Sequence, residues 1–359
     1  MASLSALRSA YPWIKTPLIA CAPMLRIATG PLAVAVSRAG GLGFLGAGFD
    51  LSNLEANLEH SAALLEKLDT PIKQEDTKGT LPIGVGFINW GADLKTAIAA
   101  ITRYTPCAVW LFAPASLPDD LVPWAEAIRS ATNKKTKIWV QVGSVSEAVV
   151  VAESLQPDVL VIQGSDAGGH GLARSASVLT LLPEVKDRLR ERNIGHIPLI
   201  AAGGITDGRG LAASLVLGAS GVVMGTRFLT SKEANISDGY QRELLRVSDG
   251  GRCTIRTTVY DKVRGFTSWP ERYNGRGVIN QTYVDAVEKG VPDEENQRLY
   301  EEESQKGDAG WGPNGRMTTY AGTGVGLLKD ILPAEEIIRN TRLEAERAIK
   351  NLAPERDDN

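Results

Sequence analysis

One histidine, at the end of a glycine-rich stretch, is the side chain of this sequence best suited to proton chemistry. Residues 159–162 form a short apolar run typical of a buried strand, and residues 163–171 follow as a polar loop that carries Gly168, Gly169 and His170. An imidazole exchanges protons near neutral pH, and glycines let the backbone approach a ligand closely. The stretch predicts a catalytic loop, although an isolated loop of this kind is more often a plain turn between a strand and a helix.

Two further loops are suited to binding a phosphate. Gly203 and Gly204 follow one apolar run, and Gly225 and Thr226 follow the next run along the chain. Backbone N–H groups in such loops, at the carboxyl ends of strands, commonly bind phosphate oxygens. One Gly-Gly pair alone is a weak signal, but two such loops in succession predict a site for a phosphate or for the phosphate of a cofactor.

Apolar runs alternate with amphipathic stretches and indicate the elements that must position these loops. The eight runs cover residues 16–21, 41–46, 82–88, 107–112, 137–142, 159–162, 197–202 and 221–224. They are apolar throughout instead of alternating, as expected for strands that are covered on both faces. Eight such strands, nearly all followed by a helical stretch, predict an α/β fold, a TIM (β/α)8 barrel, whose function lies at the carboxyl ends of its strands.

The regular alternation stops after the eighth run, which predicts three parts. Residues 1–230 are expected to form the barrel, and residues 231–316 an inserted, mainly helical and loop-rich subdomain over its mouth. Residues 317–359 would return to the barrel, with a last helix from Pro333 as its outer helix after strand eight. Arginine and aromatic side chains of the insertion fit an anionic or bulky partner as well as they fit a solvated polar surface.

Composition excludes several classes of function. The formal net charge of −3 gives no basic field for nucleic acid, and no apolar run approaches the roughly 18 residues that span a membrane. The three cysteines are far apart and form no CxxC pair, and there are only three histidines, so no metal site is expected. His60 is expected on a helix surface and His196 in a structural position. Isolated cysteines favour a reducing compartment, and we expect a cytoplasmic protein.

The motifs together resemble those of the nitronate monooxygenases, formerly called 2-nitropropane dioxygenases, which are FMN-dependent barrels. The matching segments are residues 22–24 (APM), 163–170 (QGSDAGGH), 198–205 (PLIAAGGI) and 223–228 (VMGTRF), and residues 84–89 (GVGFIN) are similar to fungal members. The resemblance covers residues 17–228 and 321–328. The glycines of residues 322–326 do not have the GxGxxG spacing of a dinucleotide site.

The resemblance implies that FMN is the cofactor and that His170 is the catalytic residue. Ala22, Pro23 and Met24 would line the flavin ring, and glutamine and asparagine side chains would bind the ring or the ribityl chain. The full set of implied cofactor-binding residues is Ala22, Pro23, Met24, Asn89, Gln141, Gln163, Gly168, Gly169, Ala202, Gly203, Gly204, Gly225 and Thr226.

The implied reaction is the oxidation of an alkyl nitronate by O2 to a carbonyl compound and nitrite. With a neutral nitroalkane, His170 would remove the α-proton as a general base; with a nitronate, it would bind the anion. The sequence leaves both roles open. The implied partners are this small-molecule substrate and O2, and the protein would be a monomer or a homodimer.

Three other functions fit the same fold. Two are flavin barrels that oxidise NAD(P)H, an enoyl-acyl-carrier-protein reductase and a quinone reductase. The third is a flavin-binding protein without turnover. Reduction of the bound flavin by NAD(P)H, by a nitronate or by neither distinguishes these from a nitronate monooxygenase.

Overall fold

The computed structural model describes residues 2–67 and 72–351, so the end of the predicted C-terminal part, residues 352–359, lies outside the described residues. The strands are, in chain order, β1 (Leu18–Cys21), β2 (Phe44–Gly48), β3 (Leu81–Ile88), β4 (Pro106–Phe112), β5 (Lys137–Val142), β6 (Val159–Gln163), β7 (Gly169–Leu172), β8 (Leu199–Ala202), β9 (Gly221–Met224), β10 (Thr254–Thr257) and β11 (Tyr273–Val278).

Eight of these strands form a parallel barrel. Their order around the barrel is β1, β9, β8, β6, β5, β4, β3 and β2. The ring closes where Leu42, just before β2, bridges to Ala20 of β1. There the backbone N–H of Leu42 donates to the carbonyl of Ile19 at 3.1 Å. The eight apolar runs thus form the predicted (β/α)8 barrel, with each run supplying one strand.

Large aromatic side chains fill the barrel interior. Trp110 and Trp139 stack with their ring centroids 6.0 Å apart, and Phe44 packs edge-on against both. Trp139 Nε1 donates to the hydroxyl of Tyr11 at 2.8 Å, below the amino end of the barrel. Truncating a buried phenylalanine such as Phe44 to alanine typically costs about 3–5 kcal/mol of stability. This packed interior is a rigid floor beneath the carboxyl ends of the strands.

Helices cover the outside of the barrel and form most of the insertion. They are α1 (Ala2–Ala10), α2 (Gly30–Arg38), α3 (Leu54–Glu66), α4 (Gln74–Thr77), α5 (Leu94–Tyr104), α6 (Val122–Ala131), α7 (Val145–Leu155), α8 (Val178–Glu191), α9 (Gly208–Val216), α10 (Thr226–Leu229), α11 (Asp238–Arg246), α12 (Gly250–Cys253), α13 (Val259–Lys262), α14 (Gln281–Tyr283), α15 (Asp293–Ser304) and α16 (Ala334–Lys350). A π-helical turn (Val284–Glu288) and two 3-10 helices (Gly307–Gly310 and Thr323–Leu327) complete the set. Within residues 2–67 and 72–351, no helix combines the length and the apolar character needed to cross a bilayer.

Side-chain caps fix where several barrel helices begin. The Asp93 carboxylate accepts from the backbone N–H of Thr96, and the Asp207 carboxylate accepts from two backbone N–H groups at the start of α9. Ser144 caps α7 in the same way. Such a cap satisfies backbone donors that have no partner in the helix, and its removal typically costs about 1 kcal/mol.

The last helix occupies the outer position after the eighth barrel strand. α16 packs between α9 and α2, the two helices that flank this gap. Arg342 of α16 donates to the backbone carbonyls of Lys15, before β1, and of Ala39 and Gly40, directly after α2. α16 thus packs against the outside of the barrel beside α9 and α2.

The insertion contains a small sheet that the sequence did not predict. β10 and β11 pair antiparallel, and β11 pairs antiparallel with β7. The prediction of a loop over residues 163–171 is wrong for Gly169, His170 and Gly171, because these residues form β7. Pairing with a strand about 100 residues later, in a stretch with few apolar residues, leaves no local signal in the sequence. The barrel loop and the insertion are thus joined by backbone hydrogen bonds.

Candidate active site

A cavity opens at the carboxyl ends of the barrel strands. Nine of the predicted cofactor-binding residues line it, which are Ala22, Gln141, Gln163, Gly168, Ala202, Gly203, Gly204, Gly225 and Thr226. Its other lining residues are Trp110, Ala167, Ile205, Thr206, Val223, Gly322 and Gly324. The cavity is thus bounded by loops after several barrel strands and by the segment that enters the final 3-10 helix.

The Gly203–Gly204 loop has a backbone that other residues would strain. Both glycines have positive φ, +104° and +74°. A Cβ atom on Gly203 would lie 2.9 Å from the carbonyl oxygen of Gly164, and one on Gly204 would lie 2.9 Å from Cβ of Asp166. The left-handed region and the close approach both require glycine at these positions.

Four backbone donors at the cavity have no partner in the protein. Within the described part of the chain, the N–H groups of Gly203, Gly204, Gly225 and Thr226 form no hydrogen bond. The hydroxyl of Thr206, which also lines the cavity, is buried and likewise unpaired. Backbone N–H groups that line a cavity without a partner can donate to a ligand, so this cluster is suited to an oxygen-rich ligand such as a phosphate.

Three predicted polar side chains are held by the strand ends. The side-chain oxygen of Gln141 accepts from Trp110 Nε1 at 3.2 Å, and the side-chain nitrogen of Gln163 donates to the His170 carbonyl at 3.1 Å. The side-chain oxygen of Asn89 accepts from the backbone N–H of Phe112 at 2.8 Å, and its nitrogen is buried without a partner. Asn89 does not line the cavity itself, but it presents an unsatisfied donor at the end of β3.

The remaining predicted residues lie beside the cavity. Pro23 packs against Gly86 of β3 so closely that Gly86 has no room for a side chain. The sulfur of Met24 lies near Gly225, 4.0 Å from where a Cβ atom on that glycine would be. Gly169 has φ of +64° and, with His170, lies in β7 next to the cavity residue Gly168.

His170 is paired with a carboxylate from the insertion. Its Nε2 lies 2.9 and 3.0 Å from the two oxygens of Asp261, which is only 4% exposed. The hydroxyl of Tyr320 donates to the same carboxylate at 2.8 Å. Burial, and secondarily the negative charge of Asp261, raise the pKa of Tyr320 well above its usual value, so its hydroxyl keeps its proton and remains a donor.

An indole covers the histidine ring. Trp269 stacks on His170 with centroids 3.8 Å apart and planes 4° apart. Trp90 and Phe112, from the ends of β3 and β4, contact Trp269 in turn, with centroids 5.5 and 6.3 Å away. This aromatic cluster joins the insertion to the barrel mouth and holds the imidazole in one orientation.

Two half-buried arginines fasten the loop before His170 to the insertion sheet. Arg256 donates to the carbonyls of Ala167 and Asn274 at 2.9 and 2.8 Å, and Arg276 donates to the carbonyl of Ser165 at 3.3 Å. Burial, and then the nearby Arg276 guanidinium, lower the pKa of Arg256 to about 10, so it stays charged at neutral pH. The loop therefore has a fixed path between the barrel and the insertion.

Sequence reasoning missed the partners of His170. Asp261, Trp269 and Tyr320 lie 91, 99 and 150 residues after it, and none stands in a recognisable motif. The only available signal was the recurrence of arginine and aromatic residues in the insertion. The other two histidines, His60 and His196, are both exposed.

Comparison with known proteins identifies the family. A sequence model described as nitronate monooxygenase matches residues 120–343. The chain is 51% identical to nitronate monooxygenase npaC of Metarhizium robertsii, covering 95% of this chain and 94% of that protein. It is 38% identical to a nitronate monooxygenase of Neurospora crassa, covering 98% and 95%. Both relatives are fungal, as the 84–89 segment predicted.

Solved structures agree in fold. FabK from Thermotoga maritima has a TM-score of 0.71 at 24% identity, covering 96% of this chain and 97% of that one. A nitroalkane oxidase from Streptomyces ansochromogenes has a TM-score of 0.72 at 24% identity, covering 97% and 100%. At this identity the likeness concerns the fold, and the family follows from the sequence relatives. The chain belongs to the nitronate monooxygenase family.

Proposed function

We propose that this protein binds FMN in the strand-end cavity and oxidises alkyl nitronates, and nitroalkanes where the neutral form is used, with O2. The products are a carbonyl compound and nitrite. The nitronate monooxygenase family is flavin-dependent and acts on small molecules. The observation that carries the proposal is the cluster of unpaired backbone donors at Gly203, Gly204, Gly225 and Thr226, in a cavity also lined by Gly168, two residues before His170.

The residues around the cavity fit FMN. The phosphate would accept from the four unpaired backbone N–H groups and from the buried Thr206 hydroxyl. Gln141, Gln163 and the unpaired amide nitrogen of Asn89 would bind polar atoms of the ring and the ribityl chain, and Ala22, Pro23 and Met24 would border the ring. When bound, FMN supplies the electron acceptor that the oxidation requires.

His170 is the proposed catalytic residue. With a neutral nitroalkane it takes the α-proton, which requires the proton within about 3 Å of an imidazole nitrogen. With a nitronate the proton is already gone, and the imidazole holds the anion. The side-chain nitrogen of Gln163, which lines the cavity, donates to the backbone carbonyl of His170. The position of His170 therefore depends on the same side chain that would contact the cofactor.

The division of the chain follows from the same proposal. Residues 1–230 would bind FMN, residues 231–316 would form the substrate side, and the segment from 317 would close the barrel. Asp261 and Trp269 support this division, because both reach His170 from the insertion.

All three cysteines are free thiols, and we place the enzyme, as a monomer or a homodimer, in a reducing compartment such as the cytoplasm.

Aerobic turnover tests the proposal directly. The purified yellow protein should produce nitrite and consume O2 when propyl-2-nitronate is added. Omission of the nitronate and addition of NADH are the controls. Nitronate-independent oxidation of NADH, with no nitrite from any alkyl nitronate, would instead identify an NAD(P)H-dependent flavin barrel. Bound flavin with no turnover of either kind would identify a binding protein.

A further inference from the structure

We propose that Asp261 and Tyr320 are positioning residues that hold His170 with a proton on Nε2, so that Nδ1 is the nitrogen that takes part in the reaction. This inference rests on the proposed function of His170 and specifies which of its two nitrogens acts. Both positioning residues lie outside the barrel portion of the site, Asp261 in α13 and Tyr320 in the segment before the final 3-10 helix.

The hydrogen-bond partners of the His170 ring determine which of its nitrogens carries a hydrogen. The two oxygens of Asp261 face His170 Nε2 at 2.9 and 3.0 Å, and a carboxylate is an acceptor only. Tyr320 already supplies one hydrogen to this carboxylate, at 2.8 Å, and burial keeps the phenol protonated. The hydrogen between Asp261 and His170 therefore belongs to Nε2, whether the ring is neutral or cationic.

The remaining contacts leave one edge of the ring for chemistry. Trp269 covers a face of the imidazole at 3.8 Å, and the His170 side chain is only 14% exposed. Within residues 2–67 and 72–351, Nδ1 forms no hydrogen bond, whereas Nε2 is fully engaged by Asp261. A neutral ring in this tautomer has its free lone pair on Nδ1.

The sheet of the insertion makes room for this arrangement. Gly275 of β11 lies directly opposite His170 of β7 in the register. A Cβ atom on Gly275 would lie 2.6 Å from Cε1 of Tyr320, so a side chain there would displace the tyrosine. Glycine at position 275 therefore leaves the space that the Tyr320 ring occupies when its hydroxyl donates to Asp261.

The proposed proton transfer balances with these groups alone. The α-C–H bond of a nitroalkane breaks, its proton forms a new bond with Nδ1, and the electron pair stays on the substrate as the nitronate. The imidazolium that results is stabilised by the Asp261 carboxylate at Nε2, as in other histidine–carboxylate pairs. The Tyr320 hydroxyl donates to the Asp261 carboxylate, and the Arg264 guanidinium lies 5.6 Å from the Tyr320 ring centroid.

The first test reads the tautomer without using activity. The chain has three histidines, so ¹⁵N-histidine labelling of the holoenzyme gives few signals, and His170→Asn assigns those of His170. With the ring neutral, the proposal predicts a protonated Nε2 and an unprotonated Nδ1 for His170. A neutral ring in the wild-type protein with its proton on Nδ1 and none on Nε2 would overturn it, whatever the turnover with nitronates.

The second test uses Asp261→Asn, whose amide can present a hydrogen to Nε2 and so favour the other tautomer. Turnover of a neutral nitroalkane should fall about 10²- to 10⁴-fold, while turnover of the pre-formed nitronate falls less than 10-fold. Asp261→Glu, which keeps the acceptor, should restore part of the lost activity. Equal losses with both substrates would contradict the role in proton transfer.

Asp285→Asn is the matched control. Asp285 is a buried carboxylate of the same insertion, paired with Arg316 and Lys289, and within the described residues it forms no hydrogen bond with His170, Asp261 or Tyr320. It should lower thermal stability without changing the His170 tautomer or the ratio of nitroalkane to nitronate turnover. If Asp285→Asn changed that ratio as strongly as Asp261→Asn, the Asp261 effect would be structural and the proposal would fail.

Discussion

The two sides of the barrel mouth are built in different ways. On the side of β8 and β9, the cavity is made of backbone, with glycines whose N–H groups are left free for a ligand. On the side of β7, His170 is held by side chains from distant parts of the chain, a carboxylate, an indole and a phenol. The side of β8 and β9 is suited to hold a tightly bound cofactor. The side of β7 is suited to orient an imidazole that exchanges a proton.

This contrast predicts that cofactor binding and proton transfer can be changed separately by mutation. A change on the glycine side should remove the flavin without altering the histidine pair. A change on the histidine side should leave the flavin bound and alter turnover. Variants that affect both sides equally would contradict this separation.

The largest effect is expected from Gly225→Leu. A Cβ atom at Gly225 would meet its nearest neighbours, Ala22 Cβ and Met24 Sδ, only at 3.7 and 4.0 Å, so the side chain would enter the cavity without a clash. The protein should fold, lose its bound flavin and bind FMN at least about 100-fold more weakly, as expected when a ligand site is filled. Absorbance near 450 nm after purification, with circular dichroism for folding, measures this.

Gly251→Leu provides the control for the same substitution. An added Cβ atom on Gly251, in α12, meets nothing within 4 Å. This variant should keep its flavin. Loss of flavin from both variants, or retention in both, would show that the cavity beside Gly225 is not the binding site.

The next effect is expected from His170→Asn. The cofactor side is unchanged, so the flavin should stay bound. Turnover of a neutral nitroalkane should fall about 10²- to 10⁴-fold, the usual contribution of a general base. Steady-state rates with a nitroalkane and with its nitronate, compared at equal flavin content, measure the change. Full turnover of the nitroalkane by this variant would eliminate the general-base role.

A smaller effect is expected from Arg256→Met. The variant removes the hydrogen bonds from Arg256 to the carbonyls of Ala167, in the segment before His170, and of Asn274, in β11. These bonds join that segment to the insertion. The free energy of unfolding should decrease by about 1–3 kcal/mol, because partly buried carbonyl acceptors lose charged donors. Denaturant unfolding of the flavin-free protein measures it.

Arg298→Met is the control for the decrease in unfolding free energy expected of Arg256→Met. Arg298 forms ion pairs with Glu295 and Glu302 on the exposed surface of α15, and exposed pairs contribute about 0–1 kcal/mol. A decrease in the free energy of unfolding as large as that of Arg256→Met would mean that the partly buried hydrogen bonds of Arg256 contribute no more to stability than exposed ion pairs.

The glycine side was predictable from the sequence because its signal is local. The strands were recognised as apolar runs, and the loops after β8 and β9 carry their cavity-lining residues in adjacent positions, Gly203–Gly204 and Gly225–Thr226. Barrel topology then brings these loops together. The same reasoning located Gln141 and Gln163 at strand ends that line the cavity.

The histidine side was predictable only for His170. Asp261 and Tyr320 come to it through the pairing of β7 with β11, which depends on tertiary contacts and on Gly275 opposite the histidine. A carboxylate in a polar, loop-rich stretch looks like any solvated residue. A hydrogen-bond partner supplied by a remote segment therefore leaves no pattern of spacing that a single sequence can reveal.

The most direct test of the central claim is anaerobic reduction of the bound flavin. The purified protein should show the absorbance of FMN, and an alkyl nitronate added without O2 should bleach it, whereas NADH and NADPH should not. A protein that is colourless and gains no absorbance when mixed with FMN would contradict the account. So would a bound flavin that NADH or NADPH bleaches and the nitronate leaves unchanged.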